Sequence, residues 1–150
     1  MLFISNTKMM KKTLLFLFCL LCVACVADNV YTTAMLNGTQ WIHRDKRGND
    51  DILEFSLTEM TRKFVLQNYS DTIVAEFPYY LTDSIVTAFD YTLVGHSNTG
   101  LYVTFYNDAV RDVFSYRITN MNEDSLVFFI EAKEHYVGAA DHSIVYTRVR

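Results

Sequence analysis

The sequence predicts an all-β domain that follows an N-terminal export signal, and three observations support this prediction. Short segments alternate apolar and polar residues, aromatic side chains make up 15% of the chain, and proline occurs once. Alternation with a period of two turns one face of a strand toward a core and the other toward water, and aromatic side chains fit pleated strands well. We therefore expect one antiparallel barrel of about 8–10 strands, arranged as a meander.

The first 24 residues have the pattern of a signal peptide. Lys8, Lys11 and Lys12 give a positive start, and the apolar run 14–23 that follows is shorter than the roughly 20 residues that a transmembrane helix needs. A buried N-terminal helix is the alternative, but the run offers no polar face to water. We expect this segment to direct export and to be removed, with translation beginning at the first methionine or at Met10.

All three cysteines lie at the end of this segment, and Cys25 is the informative one. The V-A-C sequence resembles the lipobox of bacterial lipoproteins, in which cleavage falls just before the cysteine and its sulfur carries a diacylglycerol. The resemblance implies lipid attachment at Cys25 and anchoring to a membrane of the bacterial cell envelope, with residues 25–35 as a tether and 36–150 as the barrel. Ordinary cleavage after Ala27 is the alternative and would give a periplasmic or secreted soluble protein.

The charge and motif content of the mature chain exclude several classes of function. Three of the 13 basic residues lie in the signal, which leaves 10 basic against 17 acidic residues and a formal charge of −7. An acidic body with scattered lysines and arginines argues against a nucleic-acid partner. The body has no cysteine, and it contains no phosphate-binding loop, nucleophile elbow, zinc-protease or dinucleotide motif. We expect no enzymatic activity and no cofactor.

Strands are expected wherever alternating runs lie between turn residues such as Gly48-Asn49 and Asn107-Asp108. Pro78 should place its run at an edge or a bulge, because proline cannot donate to a ladder. Connections of hairpin length favour a closed meander over a two-sheet sandwich, and closure removes exposed strand edges. The predicted runs are 41–43, 53–57, 60–66, 73–77, 85–91, 101–106, 114–119, 126–130 and 144–148.

The segment L-N-G-T-Q-W (36–41) resembles the opening of small lipocalin-like lipoproteins of Bacteroides and its relatives. The segment 114–126 and the last five residues, Y-T-R-V-R, are also similar to that group. The G-x-x-W spacing is one residue longer than in lipocalins proper and favours the bacterial branch. The resemblance implies that Trp41 closes one end of the barrel under Arg148 or Arg150. The alternative is an ordinary core tryptophan with a solvated arginine.

Two functions fit such a barrel. It could bind a small hydrophobic molecule in an apolar interior, or it could be a cell-envelope structural or interaction lipoprotein whose own side chains fill the interior. The residues expected to line the interior are large and mostly apolar: Phe55, Phe89, Phe105, Phe114, Tyr116, Phe128 and Tyr146.

We expect no metal site. His135 and His142 lie near Glu134 and Asp141, but the histidine spacing fits no recognised ligand pattern. The acidic segment 45–51 lacks the ligand spacing of a calcium loop and has the composition of a turn.

Overall fold

The computed structural model describes residues 30–67, 71–131 and 141–150. Eight strands form a closed antiparallel barrel, which confirms the predicted fold class. Two further short strands form a separate ribbon. The elements are β1 (Tyr31–Thr32), α1 (Thr33–Leu36), β2 (Thr39–Arg44), β3 (Asp50–Phe55), β4 (Glu59–Val65), β5 (Thr72–Thr82), β6 (Thr99–Gly100), β7 (Tyr102–Asn107), β8 (Asp112–Met121), β9 (Ser125–Ile130) and β10 (His142–Arg148).

The barrel is a meander. Its strand order is β2-β3-β4-β5-β7-β8-β9-β10, and β10 pairs back with β2 to close the ring. Of the strands in the described residues, β1 and β6 lie outside this order, and they pair with each other. We call the end at which β2 begins and β10 ends the closed end, and the opposite end, at which β3 and β10 begin, the open end.

The residues just before β2 cover the closed end. Tyr31 and Leu36 are buried and belong to the barrel core, and the backbone N–H of Thr33 donates to the carbonyl of Asn98. Residues 31–35, which the sequence predicts to be part of the tether, instead fold against the barrel. Gly100 permits this arrangement, because a Cβ at that position would lie 2.3 Å from the Thr82 carbonyl oxygen.

One predicted strand is wrong. Residues 85–91 belong to a loop that contains a 3₁₀ turn at Tyr91–Leu93, started by the side chain of Asp90, which accepts from the Thr92 backbone N–H. Phe89 anchors this loop to the outside of the barrel, where its ring centroid lies 4.8 Å from that of Tyr80. The apolar residues that anchor the loop produce the alternation seen in the sequence. An aromatic anchor in a loop leaves the same local pattern as a strand residue.

Proline ends one ladder of the barrel. The N–H of Tyr79 donates to the carbonyl of Thr58 beside β4, and consecutive amides of a strand point to opposite sides. Position 78 therefore faces β7, where Pro78 has no hydrogen to offer. The pairing of β5 with β7 begins only at Tyr79, while 72–78 pairs with β4. Among the described residues, the predicted run 73–77 is thus unpaired on one side, as at an edge, although β5 as a whole lies between β4 and β7 in the closed barrel.

Candidate functional site

The closed half of the barrel interior is filled by its own side chains. The ring of Trp41 is 1% exposed, and its Nε1 donates to the hydroxyl of Thr39 at 2.7 Å. Phe55 packs edge-on against Tyr79, whose hydroxyl donates to the carbonyl of Ser56. The buried apolar residues packed with them are Leu53, Met60, Leu81, Val103, Phe105, Ile118, Leu126 and Phe128.

A polar group of side chains lies inside the barrel above this filled half. The carboxylate of Asp51 is buried, and it accepts from Nε and Nη2 of Arg62, each at 2.7 Å. The hydroxyl of Tyr146 donates to the same carboxylate at 2.8 Å. Three donors therefore hold one carboxylate, in the bidentate geometry that arginine favours. We call Asp51, Arg62, Tyr116 and Tyr146 the polar layer.

His43 borders the polar layer on β2. Its ring lies 5.8 Å from that of Tyr146, and its Nδ1 is 2.9 Å from the carbonyl oxygen of Val145. Because a carbonyl oxygen only accepts, this nitrogen carries the proton when the contact is made. The imidazole therefore bridges β2 and β10 beyond the last paired residues of these strands, Ile42 and Thr147.

Burial and charge set the protonation of the polar layer. Burial alone would lower the pKa of Arg62, but hydrogen bonding and attraction from Asp51 outweigh it and raise that pKa. Burial, followed by the charge of Asp51, raises the pKa of the Tyr146 hydroxyl. Burial also raises the pKa of Tyr116, against the opposing charge of Arg62. At neutral pH both tyrosines are therefore neutral and Arg62 is charged.

A cavity of about 390 Å³ opens beside the polar layer, between β4 and β5. Arg62 supplies its polar wall, and four apolar side chains supply the rest: Phe64, Ile73, Ala75 and Phe77. These residues share one face of the two strands, because Arg62 is paired with Ala75 and Phe64 with Ile73. The lining residues of β5 precede Pro78, in the stretch where β5 has no described pairing with β7.

The structure brings most of the sequence-predicted lining residues together. Phe55, Phe105, Phe128 and Tyr146 are buried in the core, and Phe114 and Tyr116 pack against it. Phe89 lies elsewhere, on the outer face with Tyr80, Tyr91 and Tyr106. None of the seven residues is among those that line the cavity.

The predicted contact between Trp41 and an arginine is present. The guanidinium carbon of Arg148 lies 5.5 Å from the centroid of the Trp41 ring. Arg150, the alternative partner, instead forms an ion pair with Asp124. The two residues of the contact are paired across β10 and β2, which brings the arginine over the ring.

Sequence reasoning missed Asp51 and Arg62. Their signal was present in the alternation, because Asp51 shares a phase with Leu53 and Phe55, and Arg62 lies between Met60 and Phe64. A charged residue in the inward-facing phase of a predicted strand indicates either that the phase was assigned wrongly or that the charge has a partner inside the protein. The predicted run 60–66 contained Arg62, but the run 53–57 began two residues after Asp51. The pairing of the two charges also depends on the register between β3 and β4.

The lipid-attachment residue and part of the histidine and carboxylate group lie outside the described residues. Cys25, Glu134 and His135 fall there, and His142 is exposed at the start of β10. Among described residues, no group of three or more metal-ligating side chains occurs. The Asp45 side chain accepts from the backbone N–H groups of Arg47 and Asn49, which is turn geometry.

Within the described part of the chain, no helix has the length and apolarity needed to cross a membrane. The closed eight-stranded antiparallel barrel is compatible with a lipocalin-like barrel. No family model, curated protein or solved structure matches the chain.

Proposed function

We propose that this chain is an exported, lipid-anchored binding protein whose lipocalin-like barrel holds one small amphipathic molecule and performs no catalysis. The observation that carries the proposal is the cavity at the open half of the barrel, beside a buried polar group. Its volume of about 390 Å³ falls within the range of roughly 300–1,000 Å³ that is usual for small-molecule sites. A mostly apolar wall with one convergent polar side chain is the usual composition of such sites.

A second function has its own support. The closed half of the interior is packed solid, and an aromatic group lies on the outside of the barrel, where Tyr91 is 58% exposed beside Phe89 and Tyr106. Exposed apolar groups mark interaction surfaces when they are contiguous. A cell-envelope interaction protein with no ligand is therefore the alternative, and the binding experiment separates the two.

The binding test uses protein that carries Cys25→Ser, which cannot be acylated at that position. The probes are 1-decanol, decanoate, retinol and haemin, and the measurements are calorimetric titration and melting temperature. A ligand that binds only the folded state raises the melting temperature by mass action. We expect saturable binding of at least one probe. No binding of any probe would contradict the proposal and favour the interaction protein.

A matched pair of variants locates the site. Ala75→Phe places a ring in the cavity, while Val74→Phe places the same ring on the opposite, exposed face of β5. We expect the first variant to lose binding and the second to retain it. Equal binding by both variants would show that the molecule sits elsewhere.

The lipid anchor has a separate test. Mass spectrometry of the mature N-terminus should find a diacylglycerol on Cys25, and Cys25→Ser should move the protein from the membrane to the soluble fraction. Two acyl chains hold a protein stably on a membrane, whereas a single chain does so only marginally. An unmodified mature chain that begins at Asp28 would refute lipid attachment without touching the binding proposal.

A further inference from the structure

We infer that the bound molecule presents an uncharged hydrogen-bond acceptor, such as an alcohol, ester or amide oxygen, to Arg62, and that the site discriminates against carboxylates. This inference rests on the proposed binding function and specifies the class of ligand. Its basis is the ion pair of the polar layer, together with the position of Arg62 in the wall of the cavity.

The charge of Arg62 is already neutralised inside the barrel. Asp51 lies on the neighbouring strand and takes both Nε and Nη2 of the guanidinium, so the pair carries no net charge. A ligand carboxylate at Arg62 would share one guanidinium with the buried carboxylate of Asp51. Two like charges beside one cation repel each other, and the burial of Asp51 limits the screening of this repulsion by water. Among described residues, no lysine or second arginine lines the cavity.

A ligand anion could bind well only by displacing Asp51, and the structure opposes this. Asp51 is 4% exposed, and Tyr146 on β10 holds it with a third hydrogen bond. Displacement would leave a buried carboxylate without its guanidinium, and an uncompensated buried charge is strongly unfavourable. Asp51 thus competes with a ligand carboxylate for Arg62 and disfavours the binding of anionic head groups.

The guanidinium still has hydrogens to offer. Arginine has five N–H donors, of which the contacts with Asp51 use two and a hydrogen bond with Tyr116 uses a third. The side chain of Arg62 is 36% exposed, and it forms part of the cavity wall. A neutral oxygen can accept from this group without meeting repulsion.

The rest of the cavity suits a hydrocarbon chain. Phe77 lies at its buried side, and Ile73 is 59% exposed at the mouth, with Phe64 and Ala75 between them. None of these side chains can hydrogen-bond, so a second polar group on the ligand would lose its water without replacement. The complementary molecule therefore has one neutral polar end and one apolar chain.

The test compares 1-decanol with decanoate, which share chain length and differ in the charge of the head group. Calorimetric titration of the Cys25→Ser protein at neutral pH and one fixed salt concentration gives both dissociation constants. We expect the alcohol to bind at least about tenfold more tightly. Tighter binding of decanoate would overturn this inference while leaving the binding function in place. Absence of binding by both, and by the other probes, would overturn the proposed function itself.

Two variants on β3 test the cause. Asp51→Asn removes the internal carboxylate, and we expect it to improve decanoate binding at least about tenfold relative to decanol. Asp50→Asn is the matched control, because Asp50 makes the same bidentate contact with Arg44 on the outer surface. It should leave both constants unchanged. If folded Asp51→Asn protein has the same ratio of decanoate to decanol dissociation constants as the wild type, repulsion by Asp51 is refuted as the cause. If that variant does not fold, the ratio measured for the wild type decides the inference.

Discussion

The closed and open halves of the barrel interior are built from the same strands but differ in what fills them. Along β3, Leu53 and Phe55 are buried among apolar side chains, whereas Asp51 on the same face is buried in an ion pair. Along β5, Tyr79 is 1% exposed and Ile73 is 59% exposed. The contrast shows that one half of the interior is closely packed and the other is not, and a solid half can support an incompletely packed one.

The largest expected effect comes from emptying the closed half. Trp41→Ala should lower the free energy of unfolding by about 3–5 kcal/mol, because it removes a fully buried ring and leaves a cavity. Guanidinium denaturation would measure this loss. Val145→Ala on the exposed face of β10 is the control and should change the free energy by about 0.5 kcal/mol or less. Similar losses in both variants would contradict a closed half that carries the stability.

The polar layer should contribute less. Asp51→Asn should lower the free energy of unfolding by about 1.5–3 kcal/mol, because three charge-assisted hydrogen bonds become weaker or are lost. The partial exposure of Arg62 keeps this loss below that of a fully buried ion pair. Urea denaturation checks the value, with Asp50→Asn as the surface control. A loss as large as that of Trp41→Ala would mean that the polar layer is a structural core element.

Alkaline pH should weaken the closed half through Tyr79. Burial raises the pKa of its hydroxyl from the ordinary 10.0 to about 12. The folded state then holds a proton that the unfolded state releases, so this contribution to stability is complete below pH 10 and is lost as the pH rises toward 12. Melting temperatures over this range should fall more steeply for the wild type than for Tyr79→Phe. Parallel curves would exclude this tyrosine as a cause.

The smallest expected effect lies at the rim of the closed end. Arg148→Met should lower the free energy of unfolding by about 0.5–1 kcal/mol, because an exposed guanidinium over an indole ring is weakly attracted to it. Arg150→Met removes an arginine that contacts Asp124 instead, and it should leave the fluorescence of Trp41 unchanged. A Trp41 emission spectrum that is unaffected by Arg148→Met would show that the contact is incidental.

The alternation along the chain was sufficient to predict the strands that cover β2 to β5 and β7 to β10. It failed at Phe89, because an aromatic residue that anchors a loop on the outside of a barrel repeats the spacing of a strand residue. The G-x-x-W opening and the last strand predicted the contact of Trp41 with Arg148. The cavity residues could not be chosen in the same way, since Phe64 and Ile73 look like every other apolar position in their runs.

By itself the sequence determined the fold class, the meander order and the edge at Pro78, because periodicity and the missing amide hydrogen of proline are local properties. Only the tertiary structure decided that Asp51 meets Arg62 and that the interior is filled at one end and open at the other. Those outcomes depend on the register between β3 and β4 and on where the ladder between β5 and β7 stops. Register is a relation between two strands, and a shift of one residue between β3 and β4 would place Asp51 and Arg62 on opposite faces of the sheet.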